Sequence, residues 1–540
     1  MKVYLAQINT TVGDFAGNSD CIKQACAEAA AMGSDVILLP ELATTGYPPR
    51  DLLFLGDFLQ RSQQVVESVR DESGKWPDLS IFLGCPLRED GKLYNSCAVI
   101  IDGRLIGYLH KTLLPTYDVF DERRYFTPAK SWMLPSWKGV KIGLTICEDL
   151  WDEGHDLRVV PKLVDLGARV IFNISSSPYN AGKWSERYEL LRRHALASKV
   201  PIAYCNLYGS ESELIYDGGS MVVGRDGRLV AAAKCFAEDA LVVEYDTDKG
   251  DFIGTAEPPG MPHEEEVFSA LVVGTRDFHL KQGFSQCVIG LSGGIDSSLV
   301  AAVAARALGP ENVLGVAMPS RMNTADSLED AQTLARNLGI EFAEIPIEDS
   351  VGLAEERYAR VFGLYKHPET RENLQARERG KILMEISNDQ KRLVLTTGNK
   401  TEYALGYATL YGDMCGALAV IGDLNKAEVY AVSRWVNERF DRPIPERVLT
   451  KRPSAELAPG QVDPFNYDIV SPLVDELVEE QASPAELIAR GYPDEEVRRC
   501  ARLLFTSEYK RRQAAPVLKI SKRAFGRGRQ MPLVSKYIPE

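Results

Sequence analysis

Residues 246–265 divide this chain more sharply than any other stretch. The run Asp-Thr-Asp-Lys-Gly-Asp from Asp246, and Glu-Pro-Pro-Gly-Met-Pro-His-Glu-Glu from Glu257, is polar and rich in proline and glycine. It carries neither a helical nor a strand period, which suits a linker. The chain is 540 residues long, whereas a single hydrophobic core stops growing at about 250–300 residues. Two domains are therefore predicted, residues 1–245 and 266–540, each near the size one core supports.

The two halves differ in rhythm. The first has short apolar runs predicted as strands at 2–8, 36–39, 80–84, 96–101, 105–109, 141–145 and 170–174, with an alanine-rich helix at 20–32. Runs 96–101 and 105–109 leave no room for a helix between them, so the sheet is predicted to be mixed and partly antiparallel. The second half opens with a helix to about Lys281. Strands at 287–291, 313–317, 341–345 and 393–396 then alternate with helices at 298–308, 325–338 and 375–387. Strands separated by long helices imply an α/β doubly wound parallel sheet that binds ligands at the strand C-termini.

Composition excludes several classes of partner. The formal net charge of −14 argues against nucleic acid or an anionic membrane as a binding surface. Gln7, Asn9 and Thr10 interrupt the first apolar run, and no stretch approaches the ~20 apolar residues of a membrane span. The 10 cysteines are scattered without a C-x-x-C pair, which suits a reducing, cytoplasmic setting. A basic run near the end (Lys519, Lys522, Arg523, Arg527, Arg529) reads as a solvated or subunit-contact face, or else as a phosphate contact.

Three residues in the first half sit at or just beyond strand ends: Glu41, Lys111 and Cys147. A thiol attacks as thiolate; an ammonium nearby lowers its pKa and a carboxylate can take its proton. Lys111 and the backbone N–H after the cysteine could also donate to an oxyanion. Taken alone, a strand-end cysteine is more often a small buried hydrophobe. Only 6 histidines occur, none placed for a Cys-His pair. The segments Leu39-Pro40-Glu41-Leu42, His110-Lys111-Thr112-Leu113 and Ile146-Cys147-Glu148-Asp149 together resemble the signatures of the nitrilase, or carbon–nitrogen hydrolase, superfamily. The resemblance implies an αββα sandwich, with Glu41 as general base, Lys111 as oxyanion stabiliser and Cys147 as nucleophile. It also implies a second carboxylate, best matched by Glu122, and glutamine contacts at Tyr117, Ser177 and Lys183.

In the second half, Gly290-Leu291-Ser292-Gly293-Gly294-Ile295-Asp296-Ser297-Ser298 joins a strand to a helix. Glycines let several N–H groups converge on an anion, and the helix N-terminus adds its positive dipole. The Walker lysine is missing. An internal aspartate suits Mg²⁺, which favours carboxylate plus phosphate oxygens. The loop resembles the pyrophosphate loop of N-type ATP pyrophosphatases. With Asn373, Thr397, Glu402 and Lys510 in their motifs, the half resembles the synthetase domain of the glutamine-dependent NAD⁺ synthetases. That resemblance implies ATP held by residues 290–297 and Thr397, and deamido-NAD⁺ held by Asn373, Glu402 and Lys510. It further implies Mg²⁺ on Asp296 and Glu402, adenine near Met318-Pro319-Ser320-Arg321, a shielded path for ammonia, and homo-oligomeric assembly. Two rivals remain on the residues alone: a pyrophosphatase amidotransferase with another acceptor, such as a GMP synthetase-like enzyme, and a chain in which one domain is inactive and serves as a scaffold.

Overall fold

Strand Lys2–Gln7 pairs in parallel with Val36–Leu38 on one side and antiparallel with Asp239–Asp246 on the other. It lies inside the first of two large sheets in the computed structural model, which describes every residue except Pro459 and Glu540. From edge to edge, that sheet runs Asp251–Ile253, Asp239–Asp246, Lys2–Gln7, Val36–Leu38, Ser80–Glu89, Lys92–Ile101, Arg104–His110. The second runs Leu229–Ala232, Met221–Val223, Ile202–Asn206, Val170–Ser175, Val140–Ile146, Ser136–Trp137.

The sheets face each other across one apolar layer. Val3, Leu5, Val36 and Phe82 from the first meet Ile142, Ile146, Phe172 and Ile174 from the second. Phe82 and Phe172 touch edge to face, with ring centroids 5.8 Å apart. Helices Phe15–Ala31 and Gly56–Ser73 cover the outer face of the first sheet, and Val159–Asp165 and Lys183–Ser198 that of the second. The result is an αββα sandwich. Val36–Leu38 and Val170–Ser175 are buried throughout, as strands covered on both faces must be.

The chain divides into two units, Met1–Met261 and Pro262–Glu540. Asp251–Ile253, inside the stretch read as a linker without strand period, is a strand paired to 244–246. Three residues are too short to show a period, and a glycine turn at Gly250 (φ 65°) returns them to the sheet edge. The first helix also starts earlier than its alanines suggest, because Asp14 caps it through Gly17 N–H.

The second unit is a fully parallel sheet ordered Glu341–Glu344, Val313–Ala317, Cys287–Gly290, Leu393–Thr396, Leu418–Ala419. Chain order reverses between Cys287–Gly290 and Leu393–Thr396, which creates the crevice where doubly wound sheets bind ligands. Helices Glu348–Phe362 and Glu369–Gln390 cover one face. Helices His263–Leu280, Ile295–Leu308 and Lys426–Arg439 pack together as a group. A helical cluster formed by Tyr467–Val478, Pro484–Ala489 and Asp494–Thr506 has its own apolar centre. In the basic run, Lys519 and Arg529 are buried rather than solvated. Lys519 donates to the carbonyls of Ser521 and Lys522, and Arg529 pairs with Glu508 at 3.1 Å.

Candidate active sites

Glu41 follows strand Val36–Leu38 and is fully buried. The turn that carries it passes so close to Gly84 that a Cβ there would lie 2.1 Å from the Pro40 carbonyl oxygen. Both Glu41 oxygens are fixed. Oε1 accepts from Asn95 Nδ2 at 2.7 Å and Lys111 Nζ at 2.8 Å, and Oε2 from Ser176 N–H at 3.0 Å. Asn95 also takes the backbone N–H of Lys111 on its carbonyl, so one residue sets base and lysine together. Lys111 Nζ gives a second bond to Glu122 Oε1 at 2.9 Å, and Tyr47 donates to that same oxygen at 3.0 Å. Glu122 Oε2 is buried without a partner.

Cys147 begins a short 3-10 turn, Cys147–Leu150, at the end of strand Val140–Ile146. Its φ of 44° is unusual for a residue with a Cβ. Such strain costs on the order of 1–3 kcal/mol and persists only where the surroundings enforce it. Asp149 enforces it here: its carboxylate accepts from Ile146, Thr112 and Leu113 N–H at 2.8–2.9 Å, tying the cysteine turn to the Lys111 loop. The thiol is buried within electrostatic reach of Glu41, Lys111, Glu148 and Glu122.

Lys111 lowers the thiol pKa as expected, but burial and then Glu41 outweigh it and hold the thiol well above its ordinary value. After burial, charge balance adds to this: one ammonium faces two carboxylates, and Glu122 is itself raised, first by burial. Burial works against the Lys111 ammonium, but Glu122 and Glu41 outweigh it and keep the lysine protonated. The thiol at rest is protonated.

Tyr117 donates to Glu148 at 2.9 Å, next to Cys147, and burial lifts the Glu148 carboxyl to about 7. Ser177 follows Ser176, the donor to Glu41; its N–H is held by Asn206 and its hydroxyl by Arg187. Lys183 opens helix Lys183–Ser198, pairs with Glu186 at 3.0 Å and lies 4.1 Å over the Trp151 ring. Asn95 and Arg187 escaped sequence reading because isolated polar residues give no local signal; Asp149 and Ser176 stand in or beside the predicted motifs, but their partners, far along the chain, could not be read.

In the second unit, the loop after strand Cys287–Gly290 lines a cavity of about 270 Å³ at the sheet crevice. Gly290, Leu291, Ser292, Gly294, Ile295, Asp296, Ser297, Thr397 and Glu402 all border it. Gly293 faces away: with φ 72°, its Cβ position lies 2.1 Å from the Ser327 carbonyl oxygen. Ser297 and Ser298 hydroxyls both donate to the Gly294 carbonyl, folding the loop onto the N-terminus of helix Ile295–Leu308. Asp296 accepts from Asn399 Nδ2 at 2.9 Å and Lys426 Nζ at 2.6 Å. Glu402 forms a capping box with Asn399 and lies 3.6 Å from the same ammonium. Burial and then Asp296 push its carboxyl up to about 8. Lys426 is a further site residue that no motif marked.

Met318 and Pro319 border the cavity, whereas Ser320 donates to Gln375 and Arg321 pairs with Glu348. Asn373 accepts from Thr409, and Lys510 donates to the carbonyls of Gly406 and Ala408 at 2.7 Å. These two flank the 406–413 loop, whose Gly412 and Asp413 reach the cavity.

Comparison with known proteins follows the same division. The carbon–nitrogen hydrolase family matches residues 2–251, and the NAD synthase family residues 267–514. A glutamine-dependent NAD(+) synthetase from Synechocystis sp. is 42% identical, covering 100% of this chain and 99% of its own. One from Thermotoga maritima is 40% identical over 99% of both. The glutamine-dependent NAD+ synthetase of Acinetobacter baumannii, solved with adenosine diphosphate, is 36% identical, with TM-score 0.80 over 100% of this chain and 99% of that one. This chain belongs to the glutamine-dependent NAD⁺ synthetases.

Proposed function

We propose that the unit Met1–Met261 hydrolyses glutamine and that Pro262–Glu540 uses ATP to amidate deamido-NAD⁺ with the ammonia released. The observation that carries this reading is the coexistence of two built sites: a buried Glu41–Lys111–Glu122 cluster beside a thiol, and a glycine-serine cradle at a sheet crevice.

In the first site Glu41 takes the proton of Cys147 as sulfur attacks the glutamine amide carbon. A protonated resting thiol makes that base necessary. Lys111 has three N–H donors and spends two on carboxylates, so one remains for the oxyanion. The returned proton leaves with ammonia, giving a thioester, which water then cleaves to glutamate and free thiol. Glu122 Oε2, buried and without a partner, would hold the departing amine or that water.

In the second site the nicotinate carboxylate attacks the α-phosphorus of ATP and pyrophosphate leaves. Ammonia then attacks the acyl-adenylate carbon, giving the amide, AMP and a proton. The N–H groups of the 292–297 loop hold phosphate oxygens at the start of helix Ile295–Leu308. Asp296 and Glu402 fit a magnesium ion: they are hard oxygen ligands that border one cavity, and burial and then Asp296 raise the Glu402 carboxyl beside Lys426. Bound there, the ion would offset the charge of pyrophosphate. Asn373 and Lys510 would bind deamido-NAD⁺ beside the 406–413 loop. Tyr117, Ser177 and Lys183 would hold glutamine. Ammonia in neutral water is mostly ammonium, so the chemistry calls for shielded transfer. A cytoplasmic location belongs to the same reading, supported by ten free thiols, as does homo-oligomeric assembly.

The test is AMP release from ATP and deamido-NAD⁺ with glutamine or ammonium as donor. Cys147→Ala is expected to abolish glutamine-driven NAD⁺ formation and to leave ammonium-driven formation. Equal loss with both donors would defeat the division of labour.

A further inference from the structure

Among the described residues Arg187 is the largest of the fully buried side chains, and none of the catalytic roles above uses it. A guanidinium has five N–H donors and no acceptor. Nη1 lies against both oxygens of the Asp217 carboxylate at 2.7 and 2.8 Å, and Nη2 bonds the carbonyls of Ser177 at 2.9 Å and Pro178 at 3.3 Å. Nε reaches the Ser177 hydroxyl oxygen at 3.2 Å. Arg187 is thus fully buried among protein partners. Its contacts converge on the loop that also sends Ser176 N–H to Glu41.

The bond to the Ser177 hydroxyl has a polarity. Because Nε–H can only donate, the Ser177 oxygen accepts, and its own proton must point elsewhere. Among the described residues no acceptor takes that proton. We infer that Arg187, held by Asp217, presents the Ser177 hydroxyl as an obligate donor to the α-carboxylate of glutamine, making Arg187 a positioning residue for substrate choice. The inference rests on the glutaminase reading. Glutamine offers two acceptors, its amide carbonyl and its carboxylate. The carbonyl is supplied by Lys111, whereas the carboxylate must enter a site already holding Glu41, Glu122 and Glu148. A like charge entering there needs a fixed donor.

The test compares kcat/KM for ammonia release from glutamine with that from 4-aminobutanamide, which is glutamine without its carboxylate. Arg187→Lys keeps the charge opposite Asp217 and removes the Nε donor. It is expected to lower kcat/KM for glutamine about 10- to 100-fold, as loss of a charge-assisted hydrogen bond does, and for 4-aminobutanamide less than about 3-fold. Ser177→Ala should erase the same preference, and Arg187→Lys added to Ser177→Ala should change it no further. An equal fall for both amides in Arg187→Lys would overturn the inference, as would preference retained in Ser177→Ala, which decides the matter even if Arg187→Lys fails to fold. Failure of the underlying reading would appear separately, as glutamine hydrolysis that survives Cys147→Ala.

Discussion

Lys111 brings one positive charge to two buried carboxylates, and the behaviour of its neighbours follows from that imbalance. Lys111→Met would leave Glu41 and Glu122 facing each other with no counter-charge. Removing one partner of a buried ion pair costs about 3–5 kcal/mol, so the variant is expected to lose glutaminase activity and to unfold at lower urea concentration. Glu148 gives a pH signature. Burial lifts its carboxyl from 4.5 to about 7, so between those values the folded chain binds a proton that the unfolded chain has lost. Stability contributed by this group is therefore greatest at low pH and falls as pH rises through 4.5 to 7. Glu148→Gln should flatten that slope. The change between pH 5 and 8, read from urea midpoints, is expected to shrink by on the order of 1–3 kcal/mol.

At the scale of elements, two glycines separate the two chemistries. Gly84 permits the Glu41 turn, and Gly293 lets the nucleotide loop pass the Ser327 carbonyl; at each, a Cβ would sit 2.1 Å from a carbonyl oxygen. Gly84→Ala is expected to cut glutamine-driven NAD⁺ formation at least about 10-fold with ammonium-driven formation retained, whereas Gly293→Ala should cut both, since overpacking of this kind costs about 1–3 kcal/mol. Strands Val313–Ala317 and Leu393–Thr396 and helix Ala325–Leu338 were legible to the residue, because apolar runs and helical periods are local. The same locality hid Asp251–Ile253 and the partners of each motif. Lys426 meets Asp296 across 130 positions and Ser176 meets Glu41 across 135, and no periodicity encodes such pairs. The motifs located the sites. Their electrostatics became readable only once the partners were placed: the lysine lowers the thiol as its charge predicts, but burial and Glu41 outweigh it.

At the scale of the whole chain, each unit has its own apolar cores, and the connection 254–262 is mostly exposed. A broad-specificity protease is expected to cut first within 254–257, where the chain is mostly exposed, giving by mass spectrometry two fragments that meet there; first cleavage before 254 or after 262 would contradict this. All ten cysteines are free, and Cys21, Cys235 and Cys415 are only partly buried, while Cys147 is enclosed. Peroxide and electrophiles attack thiolates that they can reach. Burial lifts the Cys21 and Cys415 thiols as well, so reach decides the order of attack: the proposed nucleophile is spared under oxidative stress, and the damage falls first on sulfurs the chemistry does not need.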